Sequence, residues 1–350
     1  MTESELQRYQ RHFSVIGIDG QKKLKNASVC IIGCGGIGSP LALYLTAAGI
    51  GRLTLIDFDV VSLSNLQRQI LFSEANIGQL KVKQAKNRLK GLNAEIEITP
   101  IDQRLDFDLA MDCFSHCDLV IDGSDNYETR FLISDVCCRL SKPFISASVL
   151  KSQAQLAFFD SKTRCYRCLY ESPPPAHLSP SCAEAGIIGA VVGVVGTMAA
   201  TMALNFLLEK AISTELMCFD GDRLKWQYFS YPQRANCSGC LQQAYRPVTK
   251  RHQHDALDVS WVDMDHLNHD ADVIFDVREA WEIELNPLPY PFIHIPLSDF
   301  LACDDFTEFT KKNHTIALFC KAGIRSKEAA IHMNNLGYKK ILFSGFFNAN

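Results

Sequence analysis

The sequence predicts an α/β fold, a mostly parallel and doubly wound sheet followed by a second, smaller α/β unit. Two observations carry this: short apolar runs alternate with helical patterns, and a glycine-rich turn lies directly between one such run and a helix. Size is the third, since 350 residues at 47% hydrophobic and 21% charged content suffice for two packed domains. A net charge of −4 does not suggest a nucleic-acid surface. The opening MTESELQRYQRH lacks the apolar core of a secretory signal. Fourteen cysteines in such a chain point to thiols, metal ligands and reactive sites in a cytoplasmic protein, not to a disulfide framework.

The elements follow in order. A helix is expected over Glu3–His12, then a buried strand over Ala27–Ile32. Gly33-Cys34-Gly35-Gly36-Ile37-Gly38 turns that strand into a helix over Pro40–Ala48. Leu53–Ile56 is a second strand ending at Asp57, Glu95–Ile101 alternates, Asp118–Ile121 is a buried strand ending near Asp125, and Pro143–Val149 is a fifth. Helices over Val82–Leu92 and Arg130–Leu140 connect them. Residues 185–208 carry no charge, a length that could span a bilayer. Their Gly, Ala and Thr content and acidic flanks favour a core or subunit-interface helix, so no membrane is expected. Residues 1–245 form the first domain and 246–256 a polar linker. Residues 257–350 form the second, with strands at Val273–Phe275, Thr315–Phe319 and Lys340–Phe343 and a helix at Arg325–Leu336.

Gly33-x-Gly35-Gly36-x-Gly38, between strand and helix, suits a phosphate cradled by backbone amides and a helix N-terminus. Asp57 ends the next strand, where a carboxylate can hold ribose hydroxyls. NAD, FAD and ATP fit equally to this point. The string Asp57-Phe-Asp59-Val-Val-Ser-Leu-Ser-Asn65-Leu-Gln-Arg68-Gln69 decides among them. It resembles the ThiF/MoeB adenylyltransferases, relatives of ubiquitin E1 enzymes that activate ubiquitin-like sulfur carriers. Arg8-Tyr9-Gln10-Arg11, Gly78-Gln79-Leu80-Lys81 and Gly123-Ser124-Asp125-Asn126 stand in the same register, so the resemblance covers residues 1–245.

That resemblance implies ATP-dependent adenylation of a carrier's C-terminal glycine, a reaction served by cations around the triphosphate. It places Arg11, Arg68 and Lys81 there, with Asn65 as a polar contact and Arg11 able to reach across a homodimer. Asp125, followed by Asn126, is expected to hold Mg²⁺, and Asp57 with Asp59 to anchor the nucleoside. A cysteine on a mobile loop, joined covalently to the carrier in some relatives, corresponds to Cys182.

Cys165-x-x-Cys168 and Cys237-x-x-Cys240 supply two thiolates each, together a tetrahedral S₄ site typical of structural zinc. Asp112-Cys113-Phe114-Ser115-His116-Cys117 imitates such a cluster but lacks a second pair, and the remaining cysteines read as core.

In the second unit a strand ends at Cys320-Lys-Ala-Gly323-Ile-Arg325-Ser326, facing the sulfur toward successive amides and a helix start. The loop resembles that of rhodanese sulfurtransferases, and Asp276-Val277-Arg278-Glu279 matches their early signature. The resemblance implies a persulfide on Cys320 with its charge stabilised by Arg325 and the loop amides. Four residues separate Cys320 from Arg325, one fewer than in cysteine phosphatases of the same fold. The chain stops at Ser344-Gly-Phe-Phe-Asn-Ala-Asn350, so the final helix usual in rhodaneses is shortened or missing.

Taken together, the resemblances imply a carrier ending in Gly-Gly, a persulfide donor such as a cysteine desulfurase, and a carrier thiocarboxylate as product. Phe219–Trp226 and Gly189–Gly196 look nearer to the ThiF branch and so to a thiamine-type carrier, while the fused rhodanese unit is more familiar beside molybdopterin-type ones. The competing readings are a non-catalytic carrier-docking scaffold and an NAD-dependent oxidoreductase; the latter lacks a substrate-site His or Lys constellation.

Overall fold

The computed structural model describes residues 1–173, 186–245, 259–263, 267, 269–321 and 323–345. The chain divides into two compact units, Met1–Thr249 and Lys250–Asn350.

In the first unit, helix α1 (Glu3–Asn26) starts at a Thr2–Glu5 capping box and runs past the expected His12, bending at Gly17 (φ 69°). Its polar sequence hides the continuation, because only Glu5, Tyr9, Gln21 and Leu24 are buried. Then come β1 (Ser28–Ile32), α2 (Gly38–Ala48), β2 (Arg52–Ile56), α3 (Lys81–Leu92), β3 (Glu97–Ile101), α4 (Phe107–Ser115), β4 (Leu119–Asp122), α5 (Tyr127–Leu140) and β5 (Phe144–Leu150). The strands lie in the order β3-β2-β1-β4-β5, all parallel. Chain order therefore reverses between β1 and β4, and the carboxyl ends of those two strands open a crevice suited to a ligand.

Beyond β5 the sheet continues antiparallel through β6 (Gln153–Phe159), β7 (Leu216–Asp220) and β8 (Lys225–Phe229). Between β6 and β7 stand the short α6 (Tyr166–Leu169) and the long apolar α7 (Gly189–Leu207). One face of the sheet buries Val29, Ile31, Leu53, Leu55, Ile121 and Ile145 against α2, α3 and α7. The other buries Cys30, Ile32, Val120 and Phe144 against α4, α5 and α6. Helix α7 is long and apolar enough to cross a membrane, yet it packs within the first of these cores. A Cβ on its Gly196 would lie 2.6 Å from Pro40 and 2.7 Å from the Ile37 carbonyl, the close approach that small residues permit.

The second unit is a parallel sheet in the order β11-β10-β12-β13-β9, from β9 (Val259–Trp261), β10 (Val273–Asp276), β11 (Ile293–His294), β12 (Thr315–Cys320) and β13 (Lys340–Gly345). Helices α8 (Ala280–Leu285), α9 (Leu297–Ala302) and α10 (Ile324–Asn335) join them. Phe275, Phe300, Phe306 and Leu318 fill its core.

Candidate active sites and metal centre

The glycine loop is shaped by contacts only glycine permits. Gly33 has φ 89°, and a Cβ there would lie 2.9 Å from the Gly123 carbonyl, which joins the ends of β1 and β4. A Cβ on Gly38 would fall 2.0 Å from the Gly33 oxygen, and one on Gly36 would lie 2.8 Å from Val192 of α7. Gly35 differs, its nearest neighbour being the Gln69 amide at 3.7 Å, so it faces space.

Asp57 holds this loop. Its Oδ2 accepts the Cys34 amide at 2.8 Å and its Oδ1 accepts the Asp59 amide at 2.9 Å. Burial pushes its carboxyl above the usual range, against the opposing charge of Lys81. Lys81, first residue of α3, reaches Asp59 Oδ2 at 2.8 Å, and its own side chain is 5% exposed. Arg68 donates to the Ser64 carbonyl at 3.0 Å and passes beside Gly36. Asn65 serves locally, its Oδ1 accepting the Ser62 amide at 3.3 Å. The fold thus gathers Gly33, Gly35, Gly36, Gly38, Asp57, Asp59, Arg68 and Lys81 around one crevice.

Asp125 stands exposed just past Gly123, and the Asn126 side-chain amide donates to it at 3.4 Å. Asn126 also caps α5, accepting the Thr129 amide at 2.8 Å. Sequence reasoning missed the buried network beneath. Asp122 accepts Ser124 and Ser146 hydroxyls at 2.6 and 2.7 Å, and Arg130 lies 3.7 Å from it while donating to the Ser124 carbonyl. An acid ending β4 and an arginine in the first turn of α5, eight residues on, carry no sequence signal of meeting.

Arg11 is exposed on α1. Its neighbour Tyr9 lies against Gly49 at the C-terminal end of α2 and accepts from Asn93 at 2.8 Å, whereas the glycine loop opens the other end of that helix. Cys182 lies outside the described residues.

The four cysteines of the two C-x-x-C pairs converge. The Sγ atoms of Cys165, Cys168, Cys237 and Cys240 all lie within 4.8 Å of one another, with Cys165–Cys237 at 3.5 Å and Cys168–Cys240 at 3.6 Å. A tetrahedral zinc with bonds near 2.3 Å needs sulfurs about 3.8 Å apart, so the donor set fits. Burial pushes the Cys168 and Cys240 thiols up, and a dication would reverse this by binding thiolates. Around them, Arg167 makes a buried fork to Asp135 at 2.6 and 2.8 Å, and Cys138 packs against the cluster. Gly239 is required because a Cβ there would meet Cys165 Sγ at 2.7 Å. Asp112–Cys117 ends α4 without forming a cluster of this kind among the described residues.

In the second unit Cys320 ends β12 and is 1% exposed. The Gly323 amide donates to its Sγ at 3.1 Å, and the thiol reaches Ser326 Oγ at 3.4 Å. Gly323 adopts φ 81° with Trp261 against it, where a Cβ would lie 2.5 Å from the indole ring. Arg325 is engaged by Glu282, Nη1 to Oε2 at 2.6 Å and Nη2 to Oε1 at 2.9 Å. The Asp276 and Arg278 of the early signature form a second buried pair, with Nη2 to Oδ2 at 2.6 Å.

Residues 8–240 match the ThiF family. The chain is 33% identical over 366 residues to "Adenylyltransferase and sulfurtransferase MOCS3" of Aedes aegypti, covering 96% of this chain and 83% of that protein. It is 37% identical over 325 residues to the protein of that name from Sus scrofa, covering 85% and 70%. Among solved structures, E. coli MccB with ATP aligns at TM-score 0.57 and 27% identity, over 67% of this chain and 74% of MccB.

Proposed function

Because this chain belongs to the ThiF family, we propose that it adenylates the C-terminal glycine of a ubiquitin-like sulfur carrier and then delivers sulfur to it as a thiocarboxylate. The observation that carries this reading is the pairing, in one chain, of a glycine crevice lined by Lys81 and Arg68 with a cysteine loop whose amide is aimed at Cys320 sulfur. Relatives similar over 96% of the chain bear both activities in their name.

In the first step a carrier carboxylate oxygen attacks the α-phosphorus of ATP. Pyrophosphate departs with the electron pair of the broken P–O bond, leaving an acyl-adenylate. The amides of the glycine loop and the start of α2 hold phosphate oxygens, while Lys81 and Arg68 balance charge that grows on the leaving group. Asp57 keeps the loop in shape and has room on both oxygens for a ribose hydroxyl. Asp125 and Asn126 would hold Mg²⁺, which screens the triphosphate. Arg11, exposed on α1 two residues past the Tyr9 that packs at the far end of α2, would serve the crevice of a second subunit, so we propose a homodimer. Zinc on Cys165, Cys168, Cys237 and Cys240 would be structural, closing the sheet extension onto α5.

In the second step a persulfide donor, such as a cysteine desulfurase, places a sulfane sulfur on Cys320. That sulfur attacks the acyl carbon, AMP leaves, and a thiol cleaves the resulting acyl disulfide to free the thiocarboxylate. Cys182 is proposed as the residue that joins the carrier on the way. The setting proposed is the cytoplasm.

The test separates the two steps. Incubating Cys320→Ala protein with ATP and a carrier should give the carrier's acyl-adenylate by mass spectrometry yet no thiocarboxylate. Thiocarboxylate formed at the wild-type rate from a persulfide donor would sink the transfer step, and absence of adenylate in wild type would sink the first.

A further inference from the structure

The second unit holds two buried ion pairs, and one of them engages Arg325, the cation expected to meet the sulfur's charge. Both terminal nitrogens of Arg325 donate to Glu282, and the two side chains are 11% and 8% exposed. Burial pushes the Glu282 carboxyl up, but hydrogen bonds from Arg325 and the Glu279 amide, with the charges of Arg325 and Arg278, bring it below the usual range. Glu282 is therefore an anion at neutral pH. Beside it Arg278 closes on Asp276, so the four buried charges cancel. Among the described residues, what meets the Cys320 sulfur directly is the Gly323 amide and the Ser326 hydroxyl. Lys321 adds a positive charge at an exposed position, where water and salt screen it.

We propose that Glu282 is a positioning residue that neutralises Arg325 and so sets the charge selectivity of the loop, favouring a donor with at most one negative charge at its sulfane group, a protein persulfide, over a small dianion such as thiosulfate. This rests on the sulfurtransferase reading above. With a persulfide R–S–SH, the Cys320 thiolate attacks the sulfane sulfur, the S–S bond breaks, and R–S⁻ leaves with the electron pair. With thiosulfate the same attack expels sulfite, so two negative charges must first enter a loop whose guanidinium is already balanced. Replacing Glu282 by Gln keeps the side-chain size and one acceptor oxygen for the guanidinium while removing the charge, which frees the electrostatic pull of Arg325.

The experiment uses the full chain as wild type, E282Q and E282D, with thiosulfate and the persulfide of N-acetylcysteine methyl ester as donors. The E282Q change is expected to lower the thiosulfate KM about tenfold with kcat little altered, to make it more salt-sensitive, and to leave the persulfide KM unchanged. The E282D protein, which keeps the negative charge, should return toward the wild-type ratio. A thiosulfate KM unmoved by E282Q, or both donors shifted equally, overturns the proposal. A parallel arm needs no sulfur transfer: the rates at which iodoacetate and iodoacetamide alkylate Cys320, read on its peptide by mass spectrometry. Their ratio should rise several-fold toward the anionic reagent in E282Q, and an unchanged ratio overturns the role given to Glu282. If that ratio rises while wild type takes sulfur from neither donor, the charge role stands and the sulfurtransferase reading falls.

Discussion

Asp125 has an exposed carboxylate met by the Asn126 amide at 3.4 Å, so little of the fold hangs on it. Asp125→Ala should therefore change stability by no more than about 0.5 kcal/mol while abolishing carrier adenylation. A variant that adenylates at the wild-type rate would remove Asp125 from the site. The glycines divide in the same way. Gly38→Ala would drive a Cβ to 2.0 Å from the Gly33 oxygen and should cost about 2–4 kcal/mol by denaturant melting. Gly35→Ala, with 3.7 Å to its nearest neighbour, should fold normally and raise the ATP KM. For pH, Glu282 is held low in the folded state, so its contribution is complete above the unfolded carboxylate range and disappears as pH falls through its depressed value. Hydrogen exchange in residues 315–345 should accelerate on acidification in wild type, and E282Q should flatten that acid limb. Residue positions were legible where a motif names them, as with Asp57 just past β2 and Cys320 at the end of β12. They were hidden where partners come from distant elements, as with Asp122–Arg130 and Glu282–Arg325, because no local spacing records those meetings.

At the level of elements, α5 connects the crevice to the candidate metal centre. Asn126 caps its start beside Asp125, while Phe131 receives the Arg167 guanidinium at 4.7 Å and Asp135 closes the fork on it. Breaking that buried pair with Asp135→Ala leaves Arg167 uncompensated and should cost about 3–5 kcal/mol. The same change should speed metal loss to a chelator; unchanged release kinetics would show that α5 does not brace the cysteines. The parallel strands were legible as apolar runs, and the structure moves their ends by one or two residues: β1 and β3 start later, β4 and β5 shift by one, and β2, β10, β12 and β13 run longer. Helix α1 beyond His12 and strands β6 to β8 were not, since α1 buries few residues and β8 leaves most of its length exposed. The core packing of α7 was readable from its small residues, whose close approach to Pro40 they make possible.

For the whole molecule, the proposal joins two chemistries in one chain: a crevice that turns a carboxylate into an electrophile, and a loop that supplies the sulfur nucleophile. The split into two units follows the lapse of apolar patterning after Leu241, which the composition makes visible. Neither the carrier nor its docking surface is written in a motif, because recognition of a folded partner is spread over many residues with no fixed spacing. The most direct measurement is ATP–pyrophosphate exchange by the purified full chain with Mg²⁺ and bound zinc, adding a thiamine-type carrier, a molybdopterin-type carrier, and each without its Gly-Gly end. Exchange that appears with an intact carrier and vanishes with the truncated one is the expected result. Exchange with no dependence on the Gly-Gly end, or none with either carrier, would contradict carrier adenylation as the function of this chain.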